Sequence, residues 1–166
     1  MIEQPTIGTR EAQQFAAIAT ALPMEGFDVV DSLHHEVYDW IEKHGAVPSG
    51  PSFVRILTSD MTAKLDTEVG VLVEGAITGD DRVVVGSVPP GRYVTLFYKA
   101  EDDSDHFRAN VKIQEWAANE GLVWKNDSSS GVEVWGGRFE FFHENESSDQ
   151  FGLYELIYQI TDDSAP

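Results

Sequence analysis

The chain has 166 residues, of which 42% are apolar, enough for one domain with its own core. Its 29 acidic and 11 basic side chains give a net charge of −18, which disfavours nucleic acid and anionic membrane surfaces and favours cationic ligands. Cysteine is absent, excluding disulfides, thiolate metal sites and thiol nucleophiles, and no apolar run approaches the ~18 residues of a membrane span. The N-terminus is polar and acidic, with no signal-peptide pattern, so a cytoplasmic protein is expected. Solubility, or adaptation to a salty interior, is the plain account of the overall charge.

Residues 1–13 are polar. Gln14 to Leu22 fits either strand or helix on pattern alone, with Pro23 as its end. Asp31 or Ser32 is placed to cap a helix running to about His44. Leu33, Val37, Trp40, Ile41 and His44 recur along one face of it. Gly45 is its expected stop and Pro48-Ser-Gly-Pro51 a loop. Strands follow near Phe53–Thr58 and Leu65–Glu74, then a turn over Gly75 to Asp81. Arg82–Val88 reads as a strand, Pro89-Pro90-Gly91 as a tight turn, and Arg92–Lys99 as a strand rich in β-formers. The acidic stretch Glu101–Asp105 caps a helix to about Glu120, with Ala109, Ile113, Trp116 and Ala117 on its core face. Ser128-Ser129-Ser130 reads as a loop. Strands near Val132–His143 and Phe151–Thr161 complete the chain, and Asp163–Pro166 reads as a frayed tail.

This order repeats. Trp40 and Trp116 lie 76 positions apart, as do Gly45 and Gly121. Ile7-Gly8-Thr9 and Gln14-Phe15 match Val85-Gly86-Ser87 and Arg92-Tyr93 at an offset of 78. Glu68-Val-Gly-Val-Leu-Val matches Glu155-Leu-Ile-Tyr-Gln-Ile at an offset of 87. The match settles Gln14–Leu22 as a strand. A single α+β domain over 1–166 is predicted, built of two strand–helix–strand–strand modules (about 4–75 and 82–161) related by a pseudo-twofold axis. Its antiparallel sheet carries helices on one face and a ligand cleft on the other.

Period-two alternation sorts the strands that close the two modules. Leu156, Tyr158 and Ile160, with Val69, Val71 and Val73, are the sets that pack on helices. Glu155, Ile157 and Gln159, with Glu68, Gly70 and Leu72, face the helix-free side. A carboxylate in Phe151-Gly-Leu-Tyr-Glu-Leu-Ile-Tyr is costly unless paired or solvated. Glu155 is therefore either a solvent-facing strand residue or a cleft carboxylate able to bind a cation or act as a general acid or base. Trp40 and Trp116 read as core. Trp135, beside Gly136-Gly137, suggests a bulge or a close approach by another group, and Trp135 and Tyr93 are candidates to line the cleft. The candidate ligand-binding set is Glu155, Tyr93, Trp135, Ile157 and Glu68, with Glu155 the candidate catalyst.

Other signals are weak. His34 and His35 are adjacent on a helix, so their rings diverge, and the histidines show no metal-ligand spacing. His143 with Glu144 and Glu146 reads as a polar strand end. Asn145-Glu146-Ser147 formally fits a glycosylation sequon. There is no phosphate loop, dinucleotide fingerprint or nucleophile elbow, so neither a cofactor nor a metal is expected.

The tandem halves, the helix ending in Trp-Ile and Gly45, the Pro-Pro-Gly-Arg-Tyr turn and the terminal Tyr-Glu-Leu-Ile-Tyr-Gln-Ile strand resemble the GyrI-like small-molecule-binding domain over about residues 4–161. That domain forms the effector-binding part of many multidrug-responsive regulators. The resemblance implies a ligand cleft on the concave face of the sheet, a glutamate there at the position of Glu155, and Tyr93 at the family's Gly-x-Tyr position. It implies binding of an amphipathic or cationic aromatic molecule. A second implication is hydrolysis of strained cyclopropane-type natural products by a cleft Glu. A third is interaction with a protein partner such as gyrase. Two departures stand out. Trp135-Gly-Gly-Arg-Phe-Glu-Phe-Phe-His replaces the family's acidic-Arg-Tyr approach to the last strand. No DNA-binding helix pair precedes residue 4, so a stand-alone form is expected.

Overall fold

The computed structural model describes residues 2–23, 29–59, 64–143 and 152–162. Glu144, the sequon at Asn145, Glu146, Phe151 and the Asp163–Pro166 tail lie outside the described residues. The elements in chain order are β1 (Thr6–Arg10), β2 (Gln13–Pro23), α1 (Val30–Lys43), β3 (Val47–Ser59), β4 (Lys64–Glu74), β5 (Val84–Val88), β6 (Gly91–Lys99), α2 (Asp103–Asn119), β7 (Asn126–Asp127), β8 (Glu133–Trp135), β9 (Arg138–Phe142) and β10 (Leu153–Gln159).

The strands form one antiparallel sheet in the order β1-β6-β10-β9-β3-β4-β2-β5, with β7 and β8 beside β3. This order reads the same under exchange of the two halves. The registers obey the same exchange. Thr6 pairs with Thr95 as Val84 pairs with Ala17, which is the offset of 78 found in the sequence. The pseudo-twofold axis runs between β3 and β9, where Val54 faces Glu140. The first strand of each half pairs with the other half: β1 on β6, β5 on β2.

Both helices lie on one side. Val37, Trp40 and Ile41 of α1 pack on Ala16, Ile18, Val71 and Val73. Ala109 and Ile113 of α2 pack on Val94, Leu96, Leu156 and Tyr158. Both helices stop at glycines in the left-handed region, Gly45 at φ 72° and Gly121 at φ 71°, where a side chain would be strained. Asp102 caps α2 by accepting from Ser104 N at 2.8 Å, and Asp105 returns the bond by accepting from Glu101 N and Asp102 N. The Arg108 guanidinium beside Asp105, together with these amides, holds its carboxyl down at about 2. Among the described residues no helix is long and apolar enough to cross a membrane.

Four local expectations change. The N-cap of α1 is Val29, not Asp31 or Ser32, because the Ser32 hydroxyl donates back to the Val29 carbonyl (2.9 Å) instead of capping. Pro48–Pro51 is a bulge inside β3, not a loop: the register against β4 slips between Pro48 and Ser52, where prolines need not donate. Val132–His143 splits at Gly136-Gly137 into β8 and β9. The helix-free face is not open in its middle. Phe15, Phe53, Tyr93, Phe139, Phe141 and Ile157 are fully buried there. Curvature explains it. The Phe15 and Phe139 rings lie 6.3 Å apart although β4 and β3 separate their strands. Three strand spacings in a flat sheet would put them about 14 Å apart. The sheet is a half-barrel that closes on its own rings.

Candidate functional site

The concave face carries two rows of directly opposed residues. One runs Ala19–Glu68–Arg55–Phe139–Ile157–Thr95. The other, its counterpart under the twofold exchange, runs Phe97–Glu155–Phe141–Phe53–Gly70–Ala17. Glu68 and Glu155 therefore do occupy equivalent places on the face that the alternation assigned to them. Their neighbours differ. Where Glu68 has Arg55 on one side and Ala19 on the other, Glu155 has the rings of Phe141 and Phe97.

Glu155 is 5% exposed and is not left unpaired. Arg10, at the end of β1, donates through Nη2 to one carboxylate oxygen. His143 Nε2 lies 2.6 Å from the other. The Arg10 guanidinium sits 5.7 Å from the centre of the Phe141 ring, and His143 lies beside Phe97 and Phe141 at 5.9 and 6.4 Å. Charge pairing and ring contact together stabilise the carboxylate in an apolar setting. The Glu68 half is built otherwise. Arg55 Nη1 donates to Glu68 at 3.0 Å and Nη2 to the Gly136 carbonyl at 3.3 Å, with the guanidinium 5.2 Å from the centre of the Phe139 ring. Arg55 Nε is buried with no hydrogen-bond partner among the described residues.

Tyr93 and Ile157 lie on the same concave face as both glutamates. Tyr93 is fully buried, and its hydroxyl donates to the Pro89 carbonyl at 2.6 Å. Burial pushes its phenol up to about 12, against the opposing pull of Arg55 and Arg10. Its ring fills the space over Gly137, where an added Cβ would overlap the phenol. This is the close approach that the paired glycines announced.

Trp135 is not brought to this face. It packs in the helix-side core with Trp124 and Tyr158, donates from Nε1 to Ser59 Oγ at 3.1 Å, and stacks against Arg138, whose guanidinium is 4.6 Å from its ring. Unbroken alternation from Phe139 would put it on the concave side, and the break at Gly136-Gly137 turns it over. Sequence reasoning named neither Arg10 nor His143 for this site. His143 was reachable, since it lies two residues beyond Phe141 and so shares its face. Arg10 was not, because only the pairing of β1 with the second half carries it there.

A cavity of about 470 Å³ is lined by Asp31, His34, His35, Tyr38, Ser52 and His143, among others. His34 and His35 do diverge. His34 is buried with Nε2 2.9 Å from the Phe53 carbonyl, and His35 faces solvent beside Asp31. His143 thus stands between this cavity and Glu155.

No family model matches the chain, and no curated protein matches it in sequence. Its fold is shared with solved structures. The C-terminal domain of EcmrR superposes with a TM-score of 0.75 at 14% identity, over 96% of this chain and 98% of that one. Against EcmrR in its complex with DNA, the chain spans 57% of the EcmrR length, at a TM-score of 0.75 and 12% identity. SAV2435 bound to tetraphenylphosphonium matches at a TM-score of 0.60 and 7% identity, over 96% of this chain and 94% of that one. A hydrolase from Listeria innocua matches at 0.61 and 11%, over 95% and 92%. The half-barrel with two helices on its convex side is thus the fold that the chain shares with the EcmrR C-terminal domain and with SAV2435.

Proposed function

We propose that the protein binds an aromatic, cationic small molecule on its concave face, with Glu155 as the counter-ion and Phe97 and Phe141 as flanking rings. The observation that carries this reading is the paired carboxylate of Glu155, set between two phenyl rings and satisfied by a guanidinium that itself lies against one of them. A carboxylate and aromatic faces are the complementary surface for a delocalised cation. The fold likeness to SAV2435, which was solved with tetraphenylphosphonium, supports the same chemistry.

Tetraphenylphosphonium is the probe to use. A ligand at a hundred times its Kd stabilises the folded state by about 2.7 kcal/mol, which a thermal melt resolves. Binding should be lost or much weakened in Glu155→Gln. No shift with tetraphenylphosphonium or other lipophilic cations would refute the proposal. A second reading rests on the 2.6 Å contact between His143 and Glu155, a pair able to orient and deprotonate a water. On that reading the same face opens a strained electrophile. It predicts turnover of a cyclopropane-bearing alkylator that collapses in Glu155→Gln while affinity survives.

A further inference from the structure

We propose that Arg10 is a built-in occupant of the cation position beside Glu155, displaced when an aromatic cation binds. The inference rests on the binding function proposed above and names the residue that sets its selectivity. The two glutamates hold equivalent places, yet they acquire their counter-ions differently. Glu68 takes its own from the residue directly opposite, Arg55, on a strand paired along both edges. The matching position beside Glu155 is Phe141, and its other neighbour is Phe97, so neither adjacent strand position supplies a charge. The cation comes instead from the last residue of β1, an edge strand that among the described residues pairs only with β6.

This arrangement makes Arg10 exchangeable. Its side chain is 24% exposed while that of Glu155 is 7% exposed, so the guanidinium can reach water by rotating about its own bonds. His143 holds the second carboxylate oxygen at 2.6 Å, so Glu155 keeps its orientation when the first oxygen is released. A guanidinium is flat, delocalised and weakly hydrated, and it stacks on rings. It therefore presents to Glu155 and Phe141 what an aromatic cation would present. Small hydrated cations bring no surface to place against Phe97 and Phe141, and Arg10 excludes them. Only a cation carrying rings gains enough by burial to take its place. Arg10 thus converts a carboxylate that would accept any cation into one selective for lipophilic ones.

The test is a calorimetric titration of tetraphenylphosphonium, and separately of tetramethylammonium, into the wild-type protein, Arg10→Met and Glu155→Gln. Arg10→Met should bind tetraphenylphosphonium at least tenfold more tightly than wild type and gain measurable tetramethylammonium binding. Millimolar methylguanidinium should restore wild-type affinity to Arg10→Met and leave the wild type unchanged, which a merely structural role for Arg10 would not produce. A measurement on the unaltered protein stands beside the variants. Saturating tetraphenylphosphonium should speed phenylglyoxal modification of Arg10 at least threefold relative to exposed Arg82, read by peptide mass spectrometry. Wild-type binding that depends on Glu155 but is unchanged or weakened in Arg10→Met, or an unaltered modification rate, overturns the role of Arg10 and leaves the binding function standing. Absence of binding by wild type and Arg10→Met alike overturns both.

Discussion

The contrast between the two carboxylates predicts unequal costs for the same change. Glu155→Leu removes a charge whose partners already reach water, Arg10 at 24% and His143 at 31% side-chain exposure. The new leucine would lie between Phe97 and Phe141. Glu68→Leu leaves Arg55 at 16% exposure in mid-sheet, with one remaining acceptor at 3.3 Å and Nε already unbonded. Stripping one partner from a pair whose other member stays buried costs ~3–5 kcal/mol. Where the partners rehydrate, each pair is worth nearer an exposed ion pair, ~1 kcal/mol, so about 2 kcal/mol for Arg10 and His143 together, less up to ~1 kcal/mol for added apolar contact. Glu68→Leu should therefore be the more destabilising by about 2 kcal/mol. Urea denaturation at pH 7 reads this as a difference of roughly 1 M between the midpoints, for a slope of about 2 kcal/mol/M. Equal midpoints, or Glu155→Leu as the weaker protein, would refute the reasoning that Glu155 has exchangeable partners and Glu68 a fixed one.

Three further outcomes are expected. Burial holds the His34 pKa below its ordinary 6.5, so on acidification the unfolded chain takes up a proton that the folded one refuses. Stability should therefore fall as pH drops from 6.5 toward the lower folded value. The fall in urea midpoint between pH 7.5 and 5.5 should be smaller in His34→Gln, and an identical fall would count against it. Trp40 Nε1 donates to Asp80 at 2.9 Å and, ahead of the Val83 and Arg82 amides, holds that carboxyl down at about 2. Trp40→Phe should raise it in a carboxyl-carbon NMR titration, and no movement would assign the depression to the amides alone. Gly137→Ala should cost ~1–3 kcal/mol by forcing a methyl group into the Tyr93 ring. That cost should shrink in a Tyr93→Leu background, and strict additivity of the two changes in urea melts would exclude the contact.

Features of the site that depend on period and local chemistry were legible in the sequence. Glu68 and Glu155 fall on the predicted face because alternation holds along β4 and β10, and the helices stop at Gly45 and Gly121 because only glycine suits that backbone. Trp135 was offered to the cleft because it adjoins Gly136-Gly137, but the strand breaks at those glycines and its ring lies in the helix-side core. The filled interior of the concave face was invisible because curvature is a property of the whole sheet and no single strand records it. Arg10 was invisible for a related reason: its contact with Glu155 joins residues 145 positions apart. The repeat makes β5 the counterpart of β1, but that each pairs with the opposite half is set by the fold alone.

That exchange of first strands has a consequence for how the molecule could be divided. A fragment ending in the turn after β4 would leave the outer edge of β2 bare, since β5 is what covers it, and would carry β1 with nothing to pair against. A second copy of the same fragment would supply both missing contacts, each copy lending its first strand to the other. The indivisible unit is thus the pair of halves, and a symmetric homodimer made from either half is the smallest assembly that could close the same sheet.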